Sequence, residues 1–156
     1  MHKKMLVAAL AALGALASLP AAAQFQKAED AIKYRQAAFT VMANHFGRVA
    51  AMAQGKAPFD AKAAADNAQI VAMMSRLPFA GFTEGSDKGM PHRAKPEVWK
   101  ESAKFKAAAE KMQAEVAKFE TAAKGGNLDA IKAAVGAVGN SCKACHDDFR
   151  AEKFSN

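Results

Sequence analysis

Apolar residues recur along this chain at steps of three and four, with no stretch of alternating polar and apolar positions, so the pattern predicts helices and no strands. The first predicted helix runs from about Lys27 to Ala53 on the stripe Ile32, Arg35, Phe39, Met42, Phe46 and Val49, a seam of the kind that faces other helices in a bundle. The turn Gly55-Lys56-Ala57-Pro58 ends it, and Asp60 stands where an N-cap is wanted for a second helix. That helix is expected to run to about Leu77, with Asn67, Ile70, Met73, Met74 and Leu77 facing inward, until Pro78 stops it. Residues 78–95 read as a long glycine- and proline-bearing loop that begins with Phe79 and Phe82. A loop of that length in a small domain is often functional. Pro96 suits the first turn of a third helix on the stripe Val98, Ser102, Phe105, Ala109, Met112, Val116, Phe119 and Ala123. Gly125 and Gly126 end it, and Asn127 can cap a fourth on Leu128, Ile131, Val135, Val138, Cys142, Cys145 and Phe149.

The fold class implied is all-α, an antiparallel up-down-up-down four-helix bundle, because the short connections at 54–60 and 124–127 favour antiparallel neighbours. In that topology the start of the first helix, the end of the second, the start of the third and the end of the fourth share one end of the bundle. Arg35, Phe39, the loop with Phe79 and Phe82, and the segment Cys142–His146 are all expected there, although no two of these groups are neighbours in sequence.

The N-terminus changes the count of residues that fold. Residues 1–23 have a basic start (His2, Lys3, Lys4), an apolar run from Met5 to Leu19, and Pro20 with Ala21-Ala22-Ala23. This is the layout of a secretory signal, with cleavage before Gln24, and the run is too short for a membrane span. The domain is therefore expected over 24–156. The formal charge of +7 would fall by two with the loss of Lys3 and Lys4. The remaining basic residues are spread along helices rather than gathered in a stripe, so they read as solvated faces and not as a nucleic-acid surface.

Candidate chemistry centres on Cys142-Lys143-Ala144-Cys145-His146, which holds both cysteines of the chain. Cys-x-x-Cys-His is the attachment signature of a c-type haem. Two thiols that add across two vinyl groups of one porphyrin must sit a fixed distance apart, and helical residues i and i+3 share a face with i+4 beside them. His146 then offers an imidazole nitrogen as the proximal ligand of the iron. Competing readings are a redox dithiol, which usually accompanies a βαβ pattern, and a zinc site, for which no fourth partner lies near. A helical non-haem dithiol or metal-binding protein is thus the alternative of another class. His45 and His92 read as surface residues. Arg35, on an apolar seam, either snorkels to water or meets a buried anion. Met42 reads as core or as a thioether ligand to iron. No nucleophile–base pair stands out, so no enzymatic activity is expected and no catalytic residue is named.

Beyond these residue-level readings the chain resembles the class II c-type cytochromes, and among them cytochrome c′. The resemblance is carried by Cys-Lys-Ala-Cys-His-Asp-Asp-Phe-Arg at the end of the last helix, by Tyr34-Arg35-Gln36-Ala37-Ala38-Phe39-Thr40 with Ala43-Asn44-His45-Phe46-Gly47-Arg48, and by Lys95-Pro96-Glu97-Val98-Trp99. It implies a periplasmic bundle, usually a homodimer, with one covalent haem c whose iron is five-coordinate and high-spin and binds nitric oxide and carbon monoxide. It implies that Arg35, with Gln36 beside it, pairs with a haem propionate, with Arg93 and Lys95 as further candidates. It also implies that Phe39 lies over the distal face and that Arg150 stands beside the proximal His146. Phe79, Phe82 and Phe149 are candidates for packing on the haem. The low-spin branch of the class supplies the alternative, an electron carrier with Met42 as sixth ligand. The resemblance leaves the redox partner unknown.

Overall fold

The second helical run and the last helix start at the caps that the sequence places, and the second run stops at its proline. The computed structural model describes residues 24–155, so the leader-like segment 1–23 lies outside the described residues. Helix α1 spans Ala28–Ala53 and α2 spans Ala61–Met74. A 3₁₀ turn, Pro78–Gly81, begins at the proline that ends the second helical run. A short strand β1 (His92–Ala94) and a single helical turn α3 (Glu97–Lys100) lead into α4 (Ser102–Lys124) and α5 (Leu128–Phe149), and β2 (Arg150–Ser155) closes the described chain. The expected caps are made. The Asp60 carboxylate accepts from the Ala63 N–H at 2.9 Å, and the Asn127 side-chain oxygen accepts from the Ala130 N–H at 2.9 Å. Each satisfies a donor that a helix start otherwise leaves unpaired.

The long helices pack in a ring, α1 on α2, α2 on α4, α4 on α5 and α5 on α1. The core they enclose is aliphatic in its middle, with Val49, Val71, Val116, Phe119, Ile131 and Val138 fully buried. The seams of α1, α4 and α5 are those the periodicity predicts: Ile32, Arg35, Met42 and Val49 on α1, Ala109, Met112, Val116, Phe119 and Ala123 on α4, and Ile131, Val135, Val138 and Phe149 on α5 are buried.

Four expectations need correction. On α2 the buried residues are Ala64, Ala68 and Val71, whereas Met73 is 58% exposed and Leu77 lies exposed beyond the helix. The large apolar side chains of this helix lie away from its buried face, so the pattern leaves that face ambiguous, and the face that packs is the one formed by Ala64, Ala68 and Val71. The third helix is broken at Glu101 (φ −113°, ψ 44°), which separates α3 from α4 and leaves Ser102 exposed. A two-stranded antiparallel ribbon also exists, with His92 opposite Ser155, Ala94 opposite Arg150 and a register irregularity between them. Three residues are too few to display an alternation, so periodicity gave no warning of β1. Finally, His92 is 4% exposed, not a surface residue. Its Nδ1 accepts from the Ala94 N–H at 3.1 Å and its Nε2 lies 2.9 Å from the Asp87 carbonyl, which fixes the ring between the loop and β1.

Candidate functional site

The last two turns of α5 carry the thiols and the imidazole. Cys142 and Cys145 are half-buried and unbridged, and Cys142 packs against the hydrophobic core. Burial raises the pKa of both thiols. The Cys142 charge and then Asp148 raise that of Cys145 further. Both are therefore neutral thiols at neutral pH, and the thiolate needed for redox exchange or metal capture is disfavoured. His146 is exposed as a residue, but its ring is partly enclosed. That burial, followed by the charges of Arg150 and Arg93, lowers its pKa below the ordinary imidazole value, with Asp147 opposing. A neutral imidazole keeps a lone pair for a metal.

A chain of aromatic rings reaches the end of α5 at Phe149. Phe39 of α1 meets Phe79 edge-on at 6.0 Å between centroids and Phe82 at 6.4 Å. Phe82 continues to Phe105 of α4 at 4.8 Å, and Phe105 to Phe149 of α5 at 5.2 Å. Trp99 adjoins Phe82 at 6.2 Å and donates its indole N–H to the Thr83 carbonyl at 3.0 Å. Such tilted and edge-on pairs add about 0.5–1.5 kcal/mol each beyond the area they bury. The convergence expected of the bundle topology is thus realised: helix one, the loop and the C-terminal helix meet at one end. Phe105 and Trp99 join the site without having been singled out for it. Phe105 was legible only as a member of the core stripe, and Trp99 only as the end of the Lys95–Trp99 segment that carries the resemblance.

The side chains expected at a haem propionate also have partners within the polypeptide. Arg35 is 2% exposed and does not snorkel. Its guanidinium donates to the Gly81 carbonyl at 2.8 Å, the Ser86 hydroxyl at 2.8 Å and the Ser86 carbonyl at 2.9 Å. Burial lowers its pKa to about 10, partly offset by the charge of Asp87, so it remains a cation at physiological pH. Gln36 donates to the Pro91 carbonyl at 3.0 Å. Arg93 Nε donates to the Ala151 carbonyl at 2.7 Å, and Lys95 Nζ to the Asp147 carbonyl at 2.8 Å, so both hold down the C-terminal segment. Arg150 is the first residue of β2 rather than a continuation of the helical face, although its backbone N–H still caps the His146 carbonyl. Its charge, after burial, is a further cause that lowers the His146 pKa. His45, half-buried, faces the Asn67 side-chain oxygen at 2.7 Å and joins α1 to α2. Met42 belongs to the hydrophobic core, with Phe39, Phe79 and Cys142 on its edge.

This donor set fits a covalently held haem. Two neutral, half-buried thiols stand one helical turn apart, a neutral imidazole follows at the next residue, and Phe149 of the same helix joins the aromatic rings of the other elements. Among the described residues no cluster of three or more histidine, cysteine or acidic side chains could hold a metal ion alone. Fold and site together define a class II haem bundle, with the attachment motif on its last helix.

Comparison with known proteins narrows the class. The family model described as Cytochrome C' matches residues 30–150. The cytochrome c′ of Rubrivivax gelatinosus is 60% identical over 127 residues, 81% of this chain and 98% of that protein. Its solved structure superposes with a TM-score of 0.79, covering 81% of this chain and 99% of the other. A nitric oxide complex of a mutant cytochrome c′ from Alcaligenes xylosoxidans gives a TM-score of 0.78 at 45% identity, over 83% of this chain and 100% of that one. A cytochrome c-554 of Cereibacter sphaeroides is 30% identical over 148 residues, 92% of this chain and 96% of that protein. The chain belongs to the cytochrome c′ family. The cofactor of that family is a covalent c-type haem with its iron, and Cys142 and Cys145 are the two cysteines present to carry it.

Proposed function

We propose that this chain is a periplasmic, gas-binding haem protein that turns over no substrate of its own. One haem c is held through Cys142 and Cys145, with His146 as proximal ligand and no sixth ligand from the protein. The observation that carries the reading is a neutral dithiol–imidazole set on the same helix end as Phe149, the ring that closes the Phe39–Phe82–Phe105–Phe149 chain. Cys142 and Cys145 would hold the haem by thioether bonds, each S–H adding across a vinyl double bond with no net oxidation. When bound, the haem supplies an iron that takes a diatomic ligand and exchanges an electron. His146 presents its lone pair to that iron, and Arg150 keeps a positive charge beside it. Phe39 offers no donor atom, so its part is to exclude water and to crowd an incoming ligand. Nitric oxide is bound by the Alcaligenes xylosoxidans mutant, and we extend that ligand, with carbon monoxide, to this chain.

Among the described residues no helix is long and apolar enough to cross a membrane. Export rests on the leader-like residues 1–23, and a homodimer is the expected assembly. Electron transfer to a redox partner is a second role that the same haem would allow. Met42 is assigned to packing, because its neighbours are aliphatic and aromatic core residues. The test is the absorption spectrum of protein matured with its haem. A five-coordinate, high-spin spectrum that Met42→Leu leaves unchanged is expected. A six-coordinate, low-spin spectrum that Met42→Leu converts would replace this reading with an electron carrier ligated by Met42. N-terminal sequencing of the periplasmic fraction should begin at Gln24.

A further inference from the structure

Beyond Phe149 the chain leaves α5 and runs as β2, although apolar burial does not hold it there. Residues 152–154 are exposed, Phe154 to 63%. Ordering a backbone costs conformational entropy that so little burial does not offset, so polar contacts must hold the strand. They come from β1 and the residue after it. The Lys95 N–H donates to the Phe149 carbonyl at 2.9 Å, Ala94 pairs with Arg150, and Arg93 Nε donates to the Ala151 carbonyl at 2.7 Å. Arg150 is thus anchored on both sides, and its own N–H caps the His146 carbonyl. The ladder is irregular at one place. Between the pairs Ala94–Arg150 and His92–Ser155, residues 151–154 stand opposite Arg93 alone. The Arg93 side chain spans this bulge, from the Ala151 carbonyl to the Phe154 ring, whose centroid lies 5.9 Å from the guanidinium carbon. Bulges re-aim the side chains beside them, and this one begins immediately after Arg150. The charges of Arg150 and Arg93 both act on His146.

We propose that Arg93 is a positioning residue: its Nε–H pins the strand that leaves α5 and so keeps the Arg150 guanidinium beside His146, where that charge raises the reduction potential of the bound haem. The role rests on the proposed ligation of iron by His146, and not on which gas the iron takes. A cation held near the iron disfavours the oxidised, more positive state. The pin uses Nε alone, so the terminal N–H groups of Arg93 remain available to a propionate.

Two substitutions separate the donor from the charge. In Arg93→Gln the amide nitrogen stands as many bonds from the backbone as Nε does, so a donor is kept and the charge is lost. In Arg93→Lys the charge is kept and a methylene replaces Nε. The experiment compares these variants and Arg150→Ala, all haem-bearing, by hydrogen exchange with mass spectrometry and by reduction potential. Arg93→Lys should speed exchange of amides 150–154 roughly tenfold, as for loss of one hydrogen bond from a charged donor. Arg93→Gln, judged by exchange alone, should speed it distinctly less, and amides in the middle of α4 should be unaffected. Arg150→Ala should lower the potential. Arg93→Lys should lower it by a smaller amount, and should have no further effect on the Arg150→Ala background. Wild-type exchange in Arg93→Lys overturns the pin. An unchanged potential in Arg150→Ala or in Arg93→Lys, or an Arg93→Lys shift that survives on the Arg150→Ala background, overturns the positioning of Arg150. A six-coordinate spectrum would end the gas-binding reading while leaving both measurements readable, so the two failures are distinct.

Discussion

At the scale of single residues, two side chains let the site be tested without disturbing the whole. Phe39 is half-buried and stands on both loop phenylalanines. Phe39→Ala should cost about 3 kcal/mol of stability, the low end for a phenylalanine truncation because the ring is not fully enclosed. The space released should raise carbon monoxide affinity and association rate, so stability and binding move in opposite directions. Loss of stability with unchanged binding would make Phe39 core only. The thiols give a test in pH. Burial raises their folded-state pKa, so the haem-free native chain keeps protons that the unfolded chain gives up as pH passes the ordinary thiol value. Native stability from this source is therefore lost as pH rises through that window and is unaffected below it. Since thiolate is the nucleophile, alkylation of the haem-free chain at mildly alkaline pH should be slower folded than denatured, and the gap should close as pH climbs. Equal rates would mean exposed, reactive cysteines and would favour the dithiol reading.

At the scale of elements, the glycines separate close packing from mere permissiveness. A Cβ at Gly81 would meet the Ala31 carbonyl at 2.6 Å and Arg35 Cβ at 2.9 Å, and neither can swing away. Gly81→Ala should therefore push the 3₁₀ turn off α1 at a cost of about 1–3 kcal/mol. Gly136, exposed in the middle of α5, has nothing within 4 Å of its Cβ position. Gly136→Ala should be neutral or stabilise by up to about 1 kcal/mol. Thermal unfolding of the pair checks the contrast, and equal shifts would refute it. The same distinction explains what the sequence disclosed. Caps and stops at Asp60, Pro78 and Asn127 were legible because each acts through its own neighbours. The seams of α1, α4 and α5 were legible because large apolar residues mark them. The α2 face was not, since alanines win a close-packed position by being small, against Met73 and Leu77, which periodicity alone ranks higher. Ser86 was illegible as a partner of Arg35, because a lone serine fifty-one positions away carries no local signal. The Cys142–His146 motif needed no fold to be read. The loop partners of Arg35 did, because a charge on a seam says that it has partners without saying which.

At the scale of the whole molecule, the bundle has two ends of different chemistry. The middle and turn end are closed by aliphatic contacts and by Phe46 against Phe119 at 5.7 Å, all supplied by the polypeptide. The other end is closed by the chain of aromatic rings, the Arg35 hydrogen bonds and the β1–β2 ribbon, and carries a motif built for a cofactor. Proteins open in local units whose stability follows their buried contacts. A ligand that binds only the native state adds stability where it binds. Replacing Cys142 and Cys145 together with Ala should leave no haem after extraction with acidified organic solvent. The chain should still fold, with slow amide exchange retained across 46–71 and 112–138. Exchange across 78–105 and 142–154 should be markedly faster than in the haem-bearing protein. Covalent haem on the double variant would overturn the attachment. Protection lost evenly along the chain would show instead that the two ends form one cooperative unit, with the cofactor as part of the core rather than an addition to one end of it.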